Sequence, residues 1–144
     1  KLLKSRNIKF IIDDNISNIE YDFRAFEMDM NTIFTNLINN SIDSFKNLRI
    51  IKERKIELHF EIKNNFVDIL YTDNGIGLSD IFVDKDEIFL PFTTSKKDRK
   101  GNNIGTGLGM YLVKNVIDDY DGTIQIIESE DGFKTKINLP IRKK

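Results

Sequence analysis

The chain has 144 residues, 40% of them hydrophobic and 31% charged, which fits one domain with a full-sized core and excludes a disordered segment. A formal net charge of -1 gives no electrostatic reason for a nucleic acid or an anionic membrane as partner, and the lack of cysteine excludes disulfides and thiolate metal sites. The apolar runs are too short to span a bilayer, no signal peptide is visible, and a start at Lys1 rather than Met is expected of a piece of something longer.

The first segment, Ile8 to Ile12, reads as a strand, and Ile19 to Phe23 reads as its hairpin partner across a turn at Asp13, Asp14 and Asn15. From Met30 the period changes. Met30, Ile33, Phe34, Leu37, Ile38, Ser41, Ile42 and Phe45 recur at helical spacing, which predicts a helix with one buried stripe and Asp29 as its N-cap. Asn36, Asn40 and Asp43 line the edge of that stripe. Short polar side chains are poor helix formers, and a merely solvated flank would be better served by Lys and Glu, so these three point to a ligand.

Two strands follow. Ile56, Leu58, Phe60 and Ile62 alternate with Lys55, Glu57, His59 and Glu61, and Asn64 and Asn65 make the turn into Phe66 to Thr72. Val67, Ile69 and Tyr71 share a face whose parity continues to Asp73, a carboxylate at the edge of the core that needs a partner. Asp73-Asn-Gly-Ile-Gly77 then brings two glycines, Gly75 and Gly77, that let a flat group lie against the backbone. Residues 79 to 89 read as a short helix or irregular segment.

Pro91 stops regular structure, and the stretch from about Val83 to Asn103 reads as a hinged lid anchored by Phe89 and Phe92 and carrying Lys96, Lys97, Arg99 and Lys100. Glycines 101, 105, 107 and 109 then run into a helix over Met110 to Tyr120, with Met110, Val113, Val116, Ile117 and Tyr120 inside. A glycine loop opening a helix gathers free N–H groups and the positive end of the helix dipole, which suits phosphate. Thr123 to Ile127 and Phe133 to Leu139 are strands joined at Asp131 and Gly132. Thr135 lies in the apolar row of the last strand and needs a hydrogen-bond partner, for which Asp73 is a candidate.

The order of these pieces resembles the ATP-binding catalytic domain of sensor histidine kinases, in the GHKL superfamily shared with gyrase, mismatch-repair ATPases and large heat-shock chaperones. Asn36-Leu-Ile-Asn-Asn40 is similar to the N box, Asp73 to Gly77 to the G1 box, Phe89 to Lys96 to the F box and Gly105 to Gly109 to the G2 box, and residues 132 to 140 are similar to the closing strand. Four boxes in order are specific where one would be weak.

The resemblance implies an α/β (α+β) fold: a two-layer sandwich of a mixed sheet covered on one face by helices, the Bergerat ATP-binding fold, spanning 1–144 as a single domain. It implies ATP and Mg²⁺ as ligands, with Asp73 accepting from the adenine amine and Thr135 supporting it. Gly75 and Gly77 make room for the ring, Asn40 is the metal ligand, and Asn36 reaches the phosphates or the metal's waters. Thr94, Gly105, Thr106, Gly107, Leu108 and Gly109 contact the nucleotide, and Lys96 offsets γ-phosphate charge. Asn36 and Lys96 are the residues it implies in catalysis.

The hydrolytic members carry Glu at the place of Asn36, and Asn cannot act as a general base, so the resemblance implies phosphoryl transfer rather than efficient hydrolysis. The partner implied is a histidine-phosphoacceptor domain of a homodimeric, cytoplasmic parent kinase, and indirectly a response regulator. The parent's membrane attachment is left open, and no nucleic acid or direct membrane contact is expected. The alternatives are an ATP-driven conformational switch or chaperone-like ATPase and, among kinases, a serine-directed anti-sigma kinase. Two positions depart from the family pattern: Asp43, where many sensor kinases carry Lys, and Ser41, where Ala is usual. His59 is read as a surface residue of a strand, not a phosphoacceptor.

Overall fold

A computed structural model of the chain describes residues 8–14, 21–22, 27–48, 50, 52–78, 84–91, 108–140 and 142–143. In chain order its elements are β1 (Ile8–Asp14), β2 (Tyr21–Asp22), α1 (Glu27–Lys46), β3 (Arg54–Lys63), β4 (Phe66–Asp73), a short 3₁₀ helix (Lys85–Phe89), α2 (Gly109–Asp119), β5 (Thr123–Ile127), β6 (Lys134–Pro140) and β7 (Arg142–Lys143).

Five strands form one mixed sheet in the order β1-β3-β4-β6-β5, with β1 parallel to β3 and the other neighbours antiparallel. Strict alternation in β3 and β4 puts Ile56, Leu58, Val67, Ile69 and Tyr71 on the covered face. The two helices lie on that face. Ile33, Leu37, Ile42 and Phe45 from α1, and Met110, Val113 and Ile117 from α2, join Ile137 and Leu139 of β6 in one core. The opposite face carries Lys55, Glu57, His59 and Glu61 of β3, with His59 Nε2 3.8 Å from Glu57 Oε2. The expected two-layer mixed-sheet architecture is therefore present. Among the described residues, no helix is long and apolar enough to cross a membrane.

Two local expectations are corrected. The N-terminal hairpin does not form: β1 pairs in parallel with β3, from Ile8 opposite Arg54 to Asp14 opposite Phe60, and β2 pairs with β7 in a separate two-stranded sheet. Alternation within a strand shows which residues share a face but not which strand lies alongside. Asp29 is not the N-cap, because α1 already runs from Glu27. It sits in the first turn, where a carboxylate suits the helix dipole, and accepts a 2.7 Å hydrogen bond from the Tyr120 hydroxyl at the end of α2. That bond ties the two helices together across the face of the sheet.

The turn after β4 is built to a close tolerance. The Asn74 side chain continues the ladder toward β3: its Oδ1 accepts from the Lys55 amide at 2.7 Å and its Nδ2 donates to the Glu53 carbonyl at 2.7 Å. On the other side the β5–β6 hairpin presses against the same turn. A Cβ on Gly132, which has φ +85°, would stand 2.0 Å from the Asp73 carbonyl oxygen, so only glycine fits there.

Candidate nucleotide site

Helix α1 and the end of β4 meet at Asp73. The carboxylate is buried, at 5% relative exposure. Its Oδ2 accepts from the Ser41 hydroxyl at 2.6 Å, and its Oδ1 accepts from the Gly75 amide at 2.9 Å and the Phe133 amide at 3.3 Å. Burial pushes the Asp73 carboxyl above the usual carboxylate range; the bonds from Ser41, Gly75 and Phe133 pull it back, and the nearby Asp131 charge adds to the rise. The Ser41 hydroxyl also lies 2.6 Å from the Tyr71 hydroxyl, which donates to the Leu37 carbonyl at 3.1 Å. Burial pushes the Tyr71 hydroxyl far up as well, so it stays neutral.

One turn further along α1, the Ser44 hydroxyl accepts from the Ile76 amide at 2.7 Å. Gly75 passes so close to this helix that an added Cβ would lie 2.1 Å from Ser44 Oγ. Gly75 is thus required by the approach of the turn to α1, in addition to any room it leaves for a ligand. Gly77, at φ +80°, faces the Gly132 carbonyl.

Asn36 and Asn40 lie one turn apart on α1, both half-buried. Asn36 Nδ2 donates to the Thr32 carbonyl at 2.7 Å, and its Oδ1 faces the first residue of α2, where a Cβ on Gly109 would stand 3.0 Å from it. Leu108 precedes that helix, and its carbonyl accepts the Leu112 amide at 2.9 Å. The asparagine edge of α1 therefore meets the start of α2. Asp43, next along that edge, lies 3.8 Å from Lys46 Nζ. A cleft of about 580 Å³ opens beside the glycine turn, between Ile76, Gly77, Leu78, Lys85, Ile126 and Phe133; Asp73 and the two asparagines are not in its walls.

Of the expected residues, the structure sets Asn36 against Gly109 and Asp73 against Gly75, with Asn40 one turn from Asn36 on α1, Leu108 just before α2 and Gly77 facing Gly132. It does not join Thr135 to Asp73. The Thr135 hydroxyl is fully buried and donates to the Gln125 carbonyl of β5 at 2.8 Å. An inward-facing threonine needed a partner, and the neighbouring strand supplied it. Thr94, Lys96, Gly105, Thr106 and Gly107 lie outside the described residues, as does most of the expected lid. Three groups were missed as site residues: Ser41, Ser44 and Tyr71. The signal was present, since two hydroxyls at i and i+3 on the buried side of a helix must find partners.

Residues 26–143 match the family model of histidine kinase-, DNA gyrase B- and HSP90-like ATPases. The chain belongs to this family. Sequence relatives of this GHKL domain include a probable C4-dicarboxylate sensor kinase of Bacillus subtilis, 29% identical over 89% of the chain and 22% of the relative. The autoinducer 2 sensor kinase/phosphatase LuxQ of Vibrio harveyi is 27% identical over 96% of the chain and 16% of the relative. The chain thus spans about a fifth of the length of these curated relatives. Among solved structures, the nucleotide-free catalytic domain of histidine kinase ThkA superposes with TM-score 0.73 at 24% identity, covering 96% of this chain and 84% of that one. The mycobacterial sensor histidine kinase MprB superposes with TM-score 0.72 at 16% identity, over 99% and 89%. The GHKL domain therefore has the fold of histidine kinase catalytic domains, and its relatives support a kinase ATP-binding role.

Proposed function

We propose that this GHKL domain binds Mg-ATP and passes the γ-phosphate to a histidine on a separate dimerisation and phosphoacceptor domain of its parent kinase. The observation that carries the reading is the Asp73 carboxylate, buried and hydrogen-bonded at the junction of α1 and the glycine turn. A buried acceptor of this kind suits the exocyclic amine of adenine, and it would be left facing a carbonyl oxygen if guanine entered.

In this reading Asn36, Leu108 and Gly109, at the meeting of α1 and α2, face the phosphates, and the resemblance assigns Thr94, Gly105, Thr106 and Gly107 to the nucleotide as well. Lys96 offsets charge on the γ-phosphate. Magnesium fits the donor set. Among the described residues no group of three His, Cys, Asp or Glu could hold a metal by itself, so a metal there relies on one carboxamide oxygen, Asn40, with substrate phosphates and waters. Bound magnesium would neutralise charge developing on the phosphoryl group. Asn36 cannot take a proton from water, which favours transfer over hydrolysis.

With a phosphoacceptor helical hairpin supplied in trans and γ-labelled ATP, acid-labile label should appear on the hairpin's histidine. The isolated chain should remain unlabelled. Release of inorganic phosphate at the same rate with and without the hairpin would contradict a kinase role.

A further inference from the structure

A carboxylate offers about four lone-pair positions. On Asp73, Oδ1 already takes two donors, the Gly75 amide and the Phe133 amide, the latter shared with the Asp73 main-chain carbonyl at 3.2 Å, and Oδ2 takes one, the Ser41 hydroxyl. A single acceptor position is left, and it lies on the same oxygen that Ser41 holds. Ser41 is itself fixed from behind. Its Oγ sits 2.6 Å from the hydroxyl of Tyr71, whose ring is fully buried and whose oxygen is anchored to the Leu37 carbonyl. Ser44, three residues on, holds the Ile76 amide, so the helix grips both the carboxylate and the backbone of the turn that follows it.

We propose that Ser41, backed by Tyr71, is a positioning residue that sets base selectivity: it closes one side of Asp73 Oδ2 and leaves one direction from which a purine amine can bond. This rests on the nucleotide-binding reading above and adds to it a residue of α1 that touches neither base nor phosphate. Without the Ser41 hydroxyl, Oδ2 would present two open positions. The carboxyl could turn about its terminal torsion, or take a water that bridges to a 6-oxo base. Adenine would keep its bond, but its advantage over hypoxanthine would shrink.

Ser41→Ala should fold. Tyr71 retains the Leu37 carbonyl, and Asp73 retains two amides. The test measures calorimetric affinities of the 144-residue chain for Mg-ATP, Mg-ITP and magnesium tripolyphosphate, the last a probe without a base. In Ser41→Ala the ratio of ATP to ITP affinity should fall about tenfold, the scale of one hydrogen bond to a charged group, while tripolyphosphate binding stays at the wild-type value. Tyr71→Phe, which frees Ser41 without touching Asp73, should lower the ratio by a smaller factor. Ser41→Thr, which keeps a hydroxyl at the same place, should restore it. A wild-type ratio in Ser41→Ala, with the wild type itself selective for ATP, would overturn the inference and leave the nucleotide reading intact. A wild type that binds ATP and ITP equally would overturn the inference together with the role of Asp73 in reading the base, and a wild type that binds neither would overturn the nucleotide reading itself.

Discussion

At one end of the candidate site Asp73 is 5% exposed and held by a side-chain hydroxyl and two backbone amides, with Ser41 and Tyr71 packed behind it. At the other end Asn36 and Asn40 are half-buried on the rim of α1, and Gly109 opens α2 opposite Asn36. The first end is made of core, so its geometry is fixed by folding. The second is made of helix edges and turns, where the protein supplies amides and backbone N–H groups and a ligand supplies the rest. In the proposed reading the contrast separates two kinds of work: reading a base demands a rigid acceptor, whereas holding phosphate and a hydrated cation does not.

Stability measurements give the largest expected split between the two ends. Leu37, 1% exposed and one residue from Asn36, should cost about 2–5 kcal/mol on replacement by Ala in urea unfolding. Asn40→Ala on the same helix should change stability by less than about 0.5 kcal/mol, as a half-buried rim position. Equal losses would mean that the asparagine edge is structural.

A smaller effect should appear at the base end as a dependence on pH. The Asp73 carboxyl is held above its ordinary value by burial, so without nucleotide the folded chain binds that proton more tightly than the unfolded chain. Its contribution to stability is fully present below the ordinary carboxylate range and is lost as pH rises through the raised folded value. Asp73→Asn has no such proton, and its amide can donate to Ser41 while its oxygen keeps the two backbone amides. Wild type should therefore lose stability relative to Asp73→Asn as pH rises through that window. The opposite trend in paired urea titrations would contradict the burial argument.

The smallest effect concerns His59, on the open face beside Glu57. His59→Gln should leave both stability and phosphoryl transfer to an added phosphoacceptor unchanged, as judged by unfolding midpoint and label yield. A loss of yield would bring the open face into the reaction.

The sheet and the two helices were legible because period-2 and period-3.6 patterns report which side chains are buried, and the buried rows of β3, β4, α1 and α2 follow them. Asp73 was legible as an inward carboxylate from parity alone. The parallel pairing of β1 with β3 was not, since no local pattern encodes a partner 46 residues away, at Ile8 and Arg54. Nor was the true partner of Thr135: the need for a hydrogen bond was visible, but the choice between Asp73 and the Gln125 carbonyl depends on the distance between strands. Ser41 read as a departure from a family pattern and as one position of a stripe, and Ser44 was not singled out at all. Their meaning appeared only when the glycine turn came within hydrogen-bond reach.

The division between the two ends is tested most directly by calorimetry of ATP binding with and without magnesium, on wild type, Asp73→Ala and Asn40→Ala. Asp73→Ala should lose affinity by at least about 100-fold under both conditions, because the base loses its acceptor whether or not metal is present. Asn40→Ala should lose affinity only in the presence of magnesium. Wild-type affinity in Asp73→Ala, or an equal loss with and without metal in Asn40→Ala, would contradict the assignment of base to one end and metal to the other.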